Sequence, residues 1–291
     1  MNCSAHNEAI CIYSSLPCNA NVRPFGLFHG AVVVFEIVFL FVAGFLGGIL
    51  NSIAGGGSFI TFPALIFMGI PPVSANATNT FASSAGYLSG TFALRQELIE
   101  HKAELPKILV LSLIGGLAGA YLLLHTSDAT FRQAIPWLLL FATVMFIWGG
   151  DVNRWLKHTA SHHKHASALG GFLLSLLLIG VSTYGGFFNA GLGIISLSYL
   201  ALAGYTNINA MNGIKLLVSS AVSIIAVALF IWDGVIAWYA GTLVLLGTLT
   251  GGYFAAHLSR RLPQKGVRAF VIVASVATTL YFFYDVYLAS Q

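Results

Sequence analysis

Ten apolar runs, divided by short polar stretches, fill most of the chain and limit its fold more than any other feature. The runs lie near 27–53, 57–70, 75–95, 106–125, 131–150, 168–188, 190–204, 210–232, 235–257 and 267–288. Eight are long enough to cross a bilayer, which takes roughly 20 apolar residues, whereas 57–70 and 190–204 are shorter. Only 8% of the residues are charged, too few to cover a surface that faces water. We therefore predict an all-α polytopic membrane protein.

The two halves of the chain have the same motifs in the same order, which indicates an internal repeat. The matching stretches are 47–51 with 185–189, 69–75 with 204–210, and 113–125 with 245–257. Each half then has five apolar segments, and the short segment is the second in both. Because five is an odd number, the second half enters the membrane from the opposite side.

The distribution of basic residues agrees with an inverted second half. The loop 95–107 holds three Lys or Arg and its counterpart 232–234 holds none, whereas 257–268 holds four and its counterpart only Arg132. With ten crossings, the positive-inside rule places 95–107, 151–168 and 257–268 in the cytoplasm and both termini outside. With eight crossings, in which the short segments only re-enter, the loop with four basic residues moves to the other side. We prefer the model with ten crossings.

These patterns predict two inverted-topology repeats of about five hydrophobic segments each, with short broken helices at the repeat centres. The predicted parts are a polar N-terminal tail (1–26), membrane repeats (27–150 and 168–288) and a basic, His-rich cytoplasmic linker (151–167). We expect a multi-pass protein of the cell (inner) membrane, with the lipid bilayer and a small anionic substrate as partners. The sequence is compatible with a homo-oligomer. The net charge of +4 comes from basic residues in the loops, which set the topology, and does not indicate binding to nucleic acid.

Glycine-rich stretches in both short segments predict interrupted helices that bind an anion. Glycine breaks a membrane helix, and a helix that restarts after the break points its free amides and its dipole at it. The alternative is close helix packing through small residues, which we favour for the mid-span pairs Gly115/Gly119 and Gly247/Gly251. The candidate binding residues at the two breaks are Asn51, Gly55, Gly56, Gly57, Ser58, Asn189 and Gly193.

Two later segments each have a polar stripe at helical spacing, and one stripe includes a lysine. The stripes are Asn212, Lys215, Ser219 and Ser223 in segment eight, and Asn76, Thr80, Ser83 and Tyr87 in segment three. A lysine at the centre of a span is unfavourable by about 2.5–3.5 kcal/mol, which a bound anion offsets. The alternative is that Lys215 snorkels to the membrane interface. Two stripes at equivalent positions suggest that they line one cavity.

Other titratable residues give weaker signals. Glu36, the one acidic residue well inside a span, is the candidate for proton coupling, with a structural hydrogen bond as the alternative. The histidines within 158–165 fit a solvated basic loop better than a metal site. No HExxH, GxSxG or Walker motif is present, so we predict no enzyme, no catalytic residue, no metal and no cofactor.

These motifs resemble the signatures of the sulfite exporter TauE/SafE family. Residues 51–58 (NSIAGGGS), 63–65 (PAL) and 75–79 (ANATN) are similar to its first-repeat signature, and 184–188 (YGGFF) and 215–217 (KLL) to its second. The resemblance spans nearly the whole membrane part. It implies a multi-pass transporter of sulfite or other small organosulfur anions, of the 4-toluene sulfonate uptake permease type. Thr80 stands where close relatives often have Lys.

Together, the residues and the resemblance suggest a secondary transporter that moves a small anion across the cytoplasmic membrane by alternating access. In this hypothesis Lys215 supplies charge, while Asn51, Asn76, Asn79 and Ser219 supply hydrogen bonds. The alternative is a non-transporting membrane assembly or interaction protein that works through its tail and its His-rich loop.

Overall fold

The computed structural model describes residues 26–53, 55–160, 168–258 and 264–288, which form helices and no strands. The helices are α1 (Gly26–Ile53), α2 (Ser58–Phe67), α3 (Pro72–Ala93), α4 (Arg95–Ile99), α5 (Leu105–Leu124), α6 (Asp128–Ala160), α7 (Ala168–Phe187), α8 (Leu192–Leu202), α9 (Ile208–Trp232), α10 (Trp238–Leu258) and α11 (Gln264–Tyr287). The tail, apart from its last residue, and the His-rich stretch 161–167 lie outside the described residues. An all-helical polytopic protein was predicted, and the structure confirms it.

Two compact units divide the chain within α1. The first, Met1–Phe35, includes only the first turns of α1 among the described residues. The second, Glu36–Gln291, contains the rest of α1 and every later helix. The hydrophobic core, from Leu40 to Phe282, belongs to this second unit.

Within the described ranges, six helices have stretches that are long and apolar enough to cross a membrane. These stretches are Val33–Asn51, Leu105–Leu124, Asp128–Gly149, Gly170–Phe187, Ile208–Trp232 and Ala269–Tyr287. α3 and α10 were also expected to span and are 22 and 21 residues long, but they fall outside that set. Polar residues and glycines lower their hydropathy, and in α3 Asn76 and Asn79 are buried against other helices instead of facing lipid. α2 and α8 are short apolar helices of 10 and 11 residues.

Helices from the two halves of the sequence interlock. α5 packs against α7 and α9, and α3 packs against α9 and α10. Of the short helices, α2 packs against α11, and α8 packs against α6. Glycine allows the closest approaches: a Cβ at Gly119 of α5 would lie 2.0 Å from the Thr183 carbonyl oxygen of α7. A Cβ at Gly251 of α10 would lie equally close, 2.0 Å, to the Phe45 carbonyl oxygen of α1. Gly119 and Gly251 therefore have the packing role expected of them.

α3 and α9, which occupy the same place in the two halves, run antiparallel. Leu216 of α9 packs on Gly90 of α3. Gly213, earlier in α9, lies beside Leu94, the residue that caps the end of α3, since an added Cβ would lie 3.4 Å from the Leu94 carbonyl oxygen. Residue numbers thus rise along one helix as they fall along the other.

Left-handed glycines delimit both short helices. Gly55 (φ 80°) and Gly191 (φ 82°) precede α2 and α8, and Gly69 (φ 79°) and Gly204 (φ 93°) follow them. A residue with a Cβ rarely adopts this conformation, so glycine is required where each short helix is separated from its neighbours. The backbone therefore repeats the same interruption in both halves.

Candidate functional site

The first break lies between α1, which ends at Ile53, and α2, which begins at Ser58. The Gly55 amide donates to the Leu50 carbonyl at 3.0 Å, and helical bonding resumes where the Phe59 amide donates to Gly56 at 3.2 Å. The Ile60 and Thr61 amides donate to the Gly57 carbonyl at 3.0 and 3.2 Å, so the break itself pairs most of the first-turn amides. What α2 directs at the break is therefore chiefly the positive end of its dipole. Ser58, the first residue of this turn, is buried.

The glycines of this break have steric roles as well. Gly55 forms the left-handed turn. A Cβ at Gly56 would lie 2.4 Å from Val271 Cγ1, and one at Gly57 would lie 2.3 Å from the Gly47 carbonyl oxygen. Close packing, the alternative explanation for this glycine run, thus accounts for Gly56 and Gly57. Both are buried, so the break lies inside the protein rather than against lipid.

The second break lies between α7 and α8 and is also internal. Gly191 forms its left-handed turn, and Asn189 is only 2% exposed. The Tyr184 hydroxyl donates to the Ala190 carbonyl at 2.8 Å, which satisfies one backbone group that the break exposes. Like the first break, this one presents the first turn of a short helix to the protein interior.

Two asparagines of α3 connect it to both breaks. Asn79 Nδ2 donates to Ser58 Oγ at 3.1 Å, and Thr61 Oγ1 donates to Asn79 Oδ1. Asn76 Nδ2 donates to the Phe187 carbonyl at the end of α7, at 2.9 Å. Asn76 Oδ1 is buried without a partner in the described part of the chain, and it can accept a hydrogen bond from a solute or water. Thr61 was not among the predicted residues, although it lies three residues after Ser58, on the same face of α2.

The two predicted stripes meet at Asn189, in the second break. The Tyr87 hydroxyl of α3 donates to Asn189 Oδ1 at 2.9 Å, and Asn189 Nδ2 donates to Ser223 Oγ of α9 at 3.3 Å. Asn51, the counterpart of Asn189 in the first half, is another polar neighbour of the Tyr87 hydroxyl. One polar network, which we call the Asn189 network, therefore joins α3, α9 and both breaks; it consists of Asn51, Tyr87, Asn189 and Ser223.

Lys215 lies beside the second break and has no carboxylate partner among the residues that the structure describes. Its Nζ donates to Asn212 Oδ1 at 3.2 Å, and its carbon chain passes Gly193, where an added Cβ would lie 3.4 Å from Lys215 Cδ. Among the described residues the only ion pair is Arg132–Asp285, so nothing in that part of the chain compensates the half-buried Lys215. Gly193 belongs to the first turn of α8, whose dipole adds further positive potential.

The predicted binding residues extend along the bundle instead of gathering at one point. Asn76 and Gly90 are about 21 Å apart along α3. Gly90 is the position at which Leu216, next to Lys215, packs on α3. Asn76 and Lys215 therefore lie at separate levels, and the Asn189 network contacts α3 at Tyr87, between them.

Three other predicted residues lie apart from the breaks or are engaged within a helix. The Thr80 hydroxyl donates to the Asn76 carbonyl of its own helix at 2.9 Å. Ser219 is buried in the α9 stripe, with 1% of its surface exposed. Glu36, the coupling candidate, is half-buried in α1 and lies about 22 Å along that helix from Asn51.

Comparison with protein families shows what kind of protein contains this network. The sequence model of the family Sulfite exporter TauE/SafE matches residues 40–282, which include both breaks and both stripes. The chain belongs to the TauE/SafE family. It is thus a multi-pass membrane transporter and not an enzyme, and the resemblance found in its motifs is confirmed.

This TauE/SafE family member is similar to curated bacterial proteins over most of its length. It is 29% identical over 253 residues to "Probable membrane transporter protein" of Haemophilus influenzae, which covers 86% of this chain and 95% of the relative. It is 27% identical over 248 residues to "Probable membrane transporter protein YfcA" of Escherichia coli K12, covering 84% and 89%. It is 28% identical over 247 residues to "Probable membrane transporter protein ORF9" of Sinorhizobium sp, covering 84% and 91%. No solved structure matches the chain.

Proposed function

We propose that this protein is a secondary transporter that moves a small anion, sulfite or an organosulfur anion, across the cytoplasmic membrane by alternating access. The observation that supports it best is the Asn189 network, which joins two interrupted helices and two polar stripes. Lys215, beside the same break, adds an uncompensated positive charge. Inverted-repeat transporters bind their substrates at such broken helices near the bilayer midplane.

The charges of the site favour an anion over a cation or a neutral solute. The first turns of α2 and α8 present positive dipole ends to the interior, and Lys215 adds a full charge there. Neutral hydrogen-bonding groups complete the path: Asn51, Asn76, Asn79, Asn212 and Ser219. The sulfur-oxyanion class is suggested by the family, whose name specifies sulfite.

The antiparallel course of α3 and α9 supports the proposal that the two halves are inverted repeats. The matching left-handed glycines at both short helices support it as well. In such an arrangement the substrate site lies where the repeats meet, and it opens to each side of the membrane in turn. Glu36 is the residue to which we assign proton coupling.

Ten crossings with cytoplasmic basic loops place both termini outside the cytoplasm. A green fluorescent protein fused to either end is then expected to stay dark in the oxidising compartment, whereas an alkaline phosphatase fusion at the same end is active. A fluorescent fusion at either terminus would contradict the inverted, ten-segment arrangement.

Anion binding is testable on the purified full-length protein by thermal unfolding in detergent. Sulfite, thiosulfate, short organosulfonates and carboxylates are compared at equal ionic strength. We expect at least one sulfur oxyanion to raise the unfolding temperature, because a ligand that binds only the native state stabilises it by about 2.7 kcal/mol at 100 times its Kd. Lys215→Met should lose this shift, and Lys107→Met, at an exposed lysine of α5, should keep it. If no anion shifts a folded protein, or if the shift survives Lys215→Met, the proposed site is wrong.

A further inference from the structure

A cavity of about 510 Å³ opens at the C-terminal end of α2, the end remote from the first break. Its walls come from the second half of α2, the turn 69–72, the start of α6 and the end of α11. Since water occupies about 30 Å³ per molecule in the liquid, the cavity has room for a small hydrated ion. α2 has ten residues, so the cavity lies about 15 Å along the helix from the break.

The cationic residue of the cavity lining is Arg132, and a half-buried carboxylate, that of Asp285, accepts a hydrogen bond from it. Arg132 Nη2 of α6 donates to Asp285 Oδ2 of α11 at 2.8 Å. The two side chains are 53% and 30% exposed, and an ion pair this accessible to water is weak. Asp128, the other acidic residue of the lining, is engaged elsewhere, because its Oδ1 accepts the Val73 amide at 2.9 Å. An arriving anion can therefore compete with Asp285 for Arg132.

Four phenylalanines, which we call the aromatic layer, separate this cavity from the polar network: Phe62, Phe131, Phe188 and Phe282. Each is at most 2% exposed. Phe282 lines the cavity and stacks on Phe62 with the ring centroids 6.1 Å apart. Phe62 in turn meets Phe188 edge-to-face at 5.5 Å. Beyond the layer the polar groups begin at once, because Asn189 follows Phe188 and Ser58 is one helical turn from Phe62.

We propose that this cavity is an entry vestibule for small anions, in which Arg132 captures the ion and the aromatic layer is the closed gate to the Asn189 network. The inference rests on the proposed function, since it names the route to that site. Asp285 occupies Arg132 when no anion is present. A hydrated ion cannot pass four packed aromatic rings, because they offer no partner for its charge, so the layer has to part before the ion moves on.

Thiol labelling tests the gate without any assumption about the transported substrate. The full-length chain is first freed of its cysteines at positions 3, 11 and 18, and Ser58→Cys is introduced as a reporter behind the aromatic layer. The probe is a methanethiosulfonate reagent with a negatively charged sulfonate group. We expect Phe282→Ala to speed labelling at least tenfold. Phe283→Ala is the matched control, because Phe283 packs on Trp137 and Tyr287 instead of Phe62, and it should leave the rate unchanged.

The charge of the vestibule is tested in the same Phe282→Ala background. Arg132→Gln should slow the anionic reagent several-fold, and Asp285→Asn should speed it, because Asp285 competes for Arg132. A trimethylammonium reagent of similar size should show neither effect. A purely structural ion pair would instead make the two substitutions act in the same direction on both reagents.

Three results would overturn the proposal: equal labelling rates for Phe282→Ala and Phe283→Ala, no difference between the two reagents, or shifts of the same sign for Arg132→Gln and Asp285→Asn. If Phe282→Ala fails to yield a monodisperse protein, Phe282→Leu gives the same comparison with a smaller opening. Any of these results would contradict the proposed vestibule, but not the proposed anion binding at Lys215. A thermal-shift screen in which no anion stabilises the protein would contradict the proposed substrate, and it would not change the labelling rates expected here.

Discussion

Replacing Lys215 by alanine is expected to slow anion transport about 30-fold or more while the protein stays folded. The ammonium is half-buried beside Gly193, and its only described polar contact is Asn212. Removing one member of a buried charged contact costs about 2–5 kcal/mol of binding, and 2 kcal/mol is about 30-fold in affinity. Stability should not fall, because no carboxylate of the described chain loses a partner and an unfavourable intramembrane charge is removed. The measurement is the initial rate of labelled sulfite uptake into proteoliposomes, beside the unfolding temperature.

Two matched variants separate the site from general charge effects. Lys107→Ala removes an exposed lysine at the start of α5 and should keep the wild-type rate. Lys215→Arg keeps the positive charge and should retain a measurable part of the wild-type transport rate. Wild-type transport by Lys215→Ala would exclude Lys215 from the mechanism, and a loss of transport that accompanies a lower unfolding temperature would assign it a structural role.

Gly119→Ala is expected to destabilise the protein by about 3 kcal/mol or more, at the upper end for an overpacked interior. The added Cβ would lie 2.0 Å from the Thr183 carbonyl oxygen and 2.7 Å from the Phe187 amide nitrogen. Both are backbone atoms, so no side-chain rotation relieves the contact. Phe187 ends α7 at the second break, so a shift of α7 would also displace Asn189. The expected result is a large drop in unfolding temperature and in the yield of monodisperse protein.

Gly180→Ala makes the same chemical change in α7 and should have the opposite sign. Apart from its chain neighbours and the adjacent backbone of α7, no described atom lies within 4 Å of a Cβ at Gly180. Alanine also favours a helix over glycine by about 1 kcal/mol. Gly251→Ala should behave like Gly119→Ala, because its Cβ would lie 2.0 Å from the Phe45 carbonyl oxygen. Similar stabilities for Gly119→Ala and Gly180→Ala would show that the α5–α7 contact is not as close as described.

The apolar runs predicted the helices well because each membrane segment must satisfy its own backbone hydrogen bonds. α3 shows where such prediction ends. Its stripe residues Asn76 and Thr80 lower the hydropathy of the helix, yet both are buried by neighbouring helices. Hydropathy alone does not distinguish a helix face that contacts lipid from one that contacts protein. The interlocking of the halves was equally hidden, since it depends on which glycines meet across helices.

The polar stripes were predictable because residues three or four apart share a helical face. Their meeting point at Asn189 was not, because helix rotation and crossing are set by the packing of all the helices together. For the same reason, Asn76 and Lys215 were predicted to line one cavity, although they lie at different levels along α3. Thr61 was missed because one threonine in an apolar helix is an ordinary residue until Asn79 is placed opposite it.

Counterflow of labelled sulfite into proteoliposomes tests the transport of a small anion most directly. Vesicles that contain the full-length protein and a high concentration of unlabelled sulfite are diluted into a trace of labelled sulfite. Our account predicts a transient accumulation of label well above that of protein-free vesicles, which thiosulfate or an organosulfonate in excess suppresses. If correctly folded protein gives no accumulation above protein-free vesicles with sulfite, thiosulfate or organosulfonates as the labelled anion, the account is contradicted.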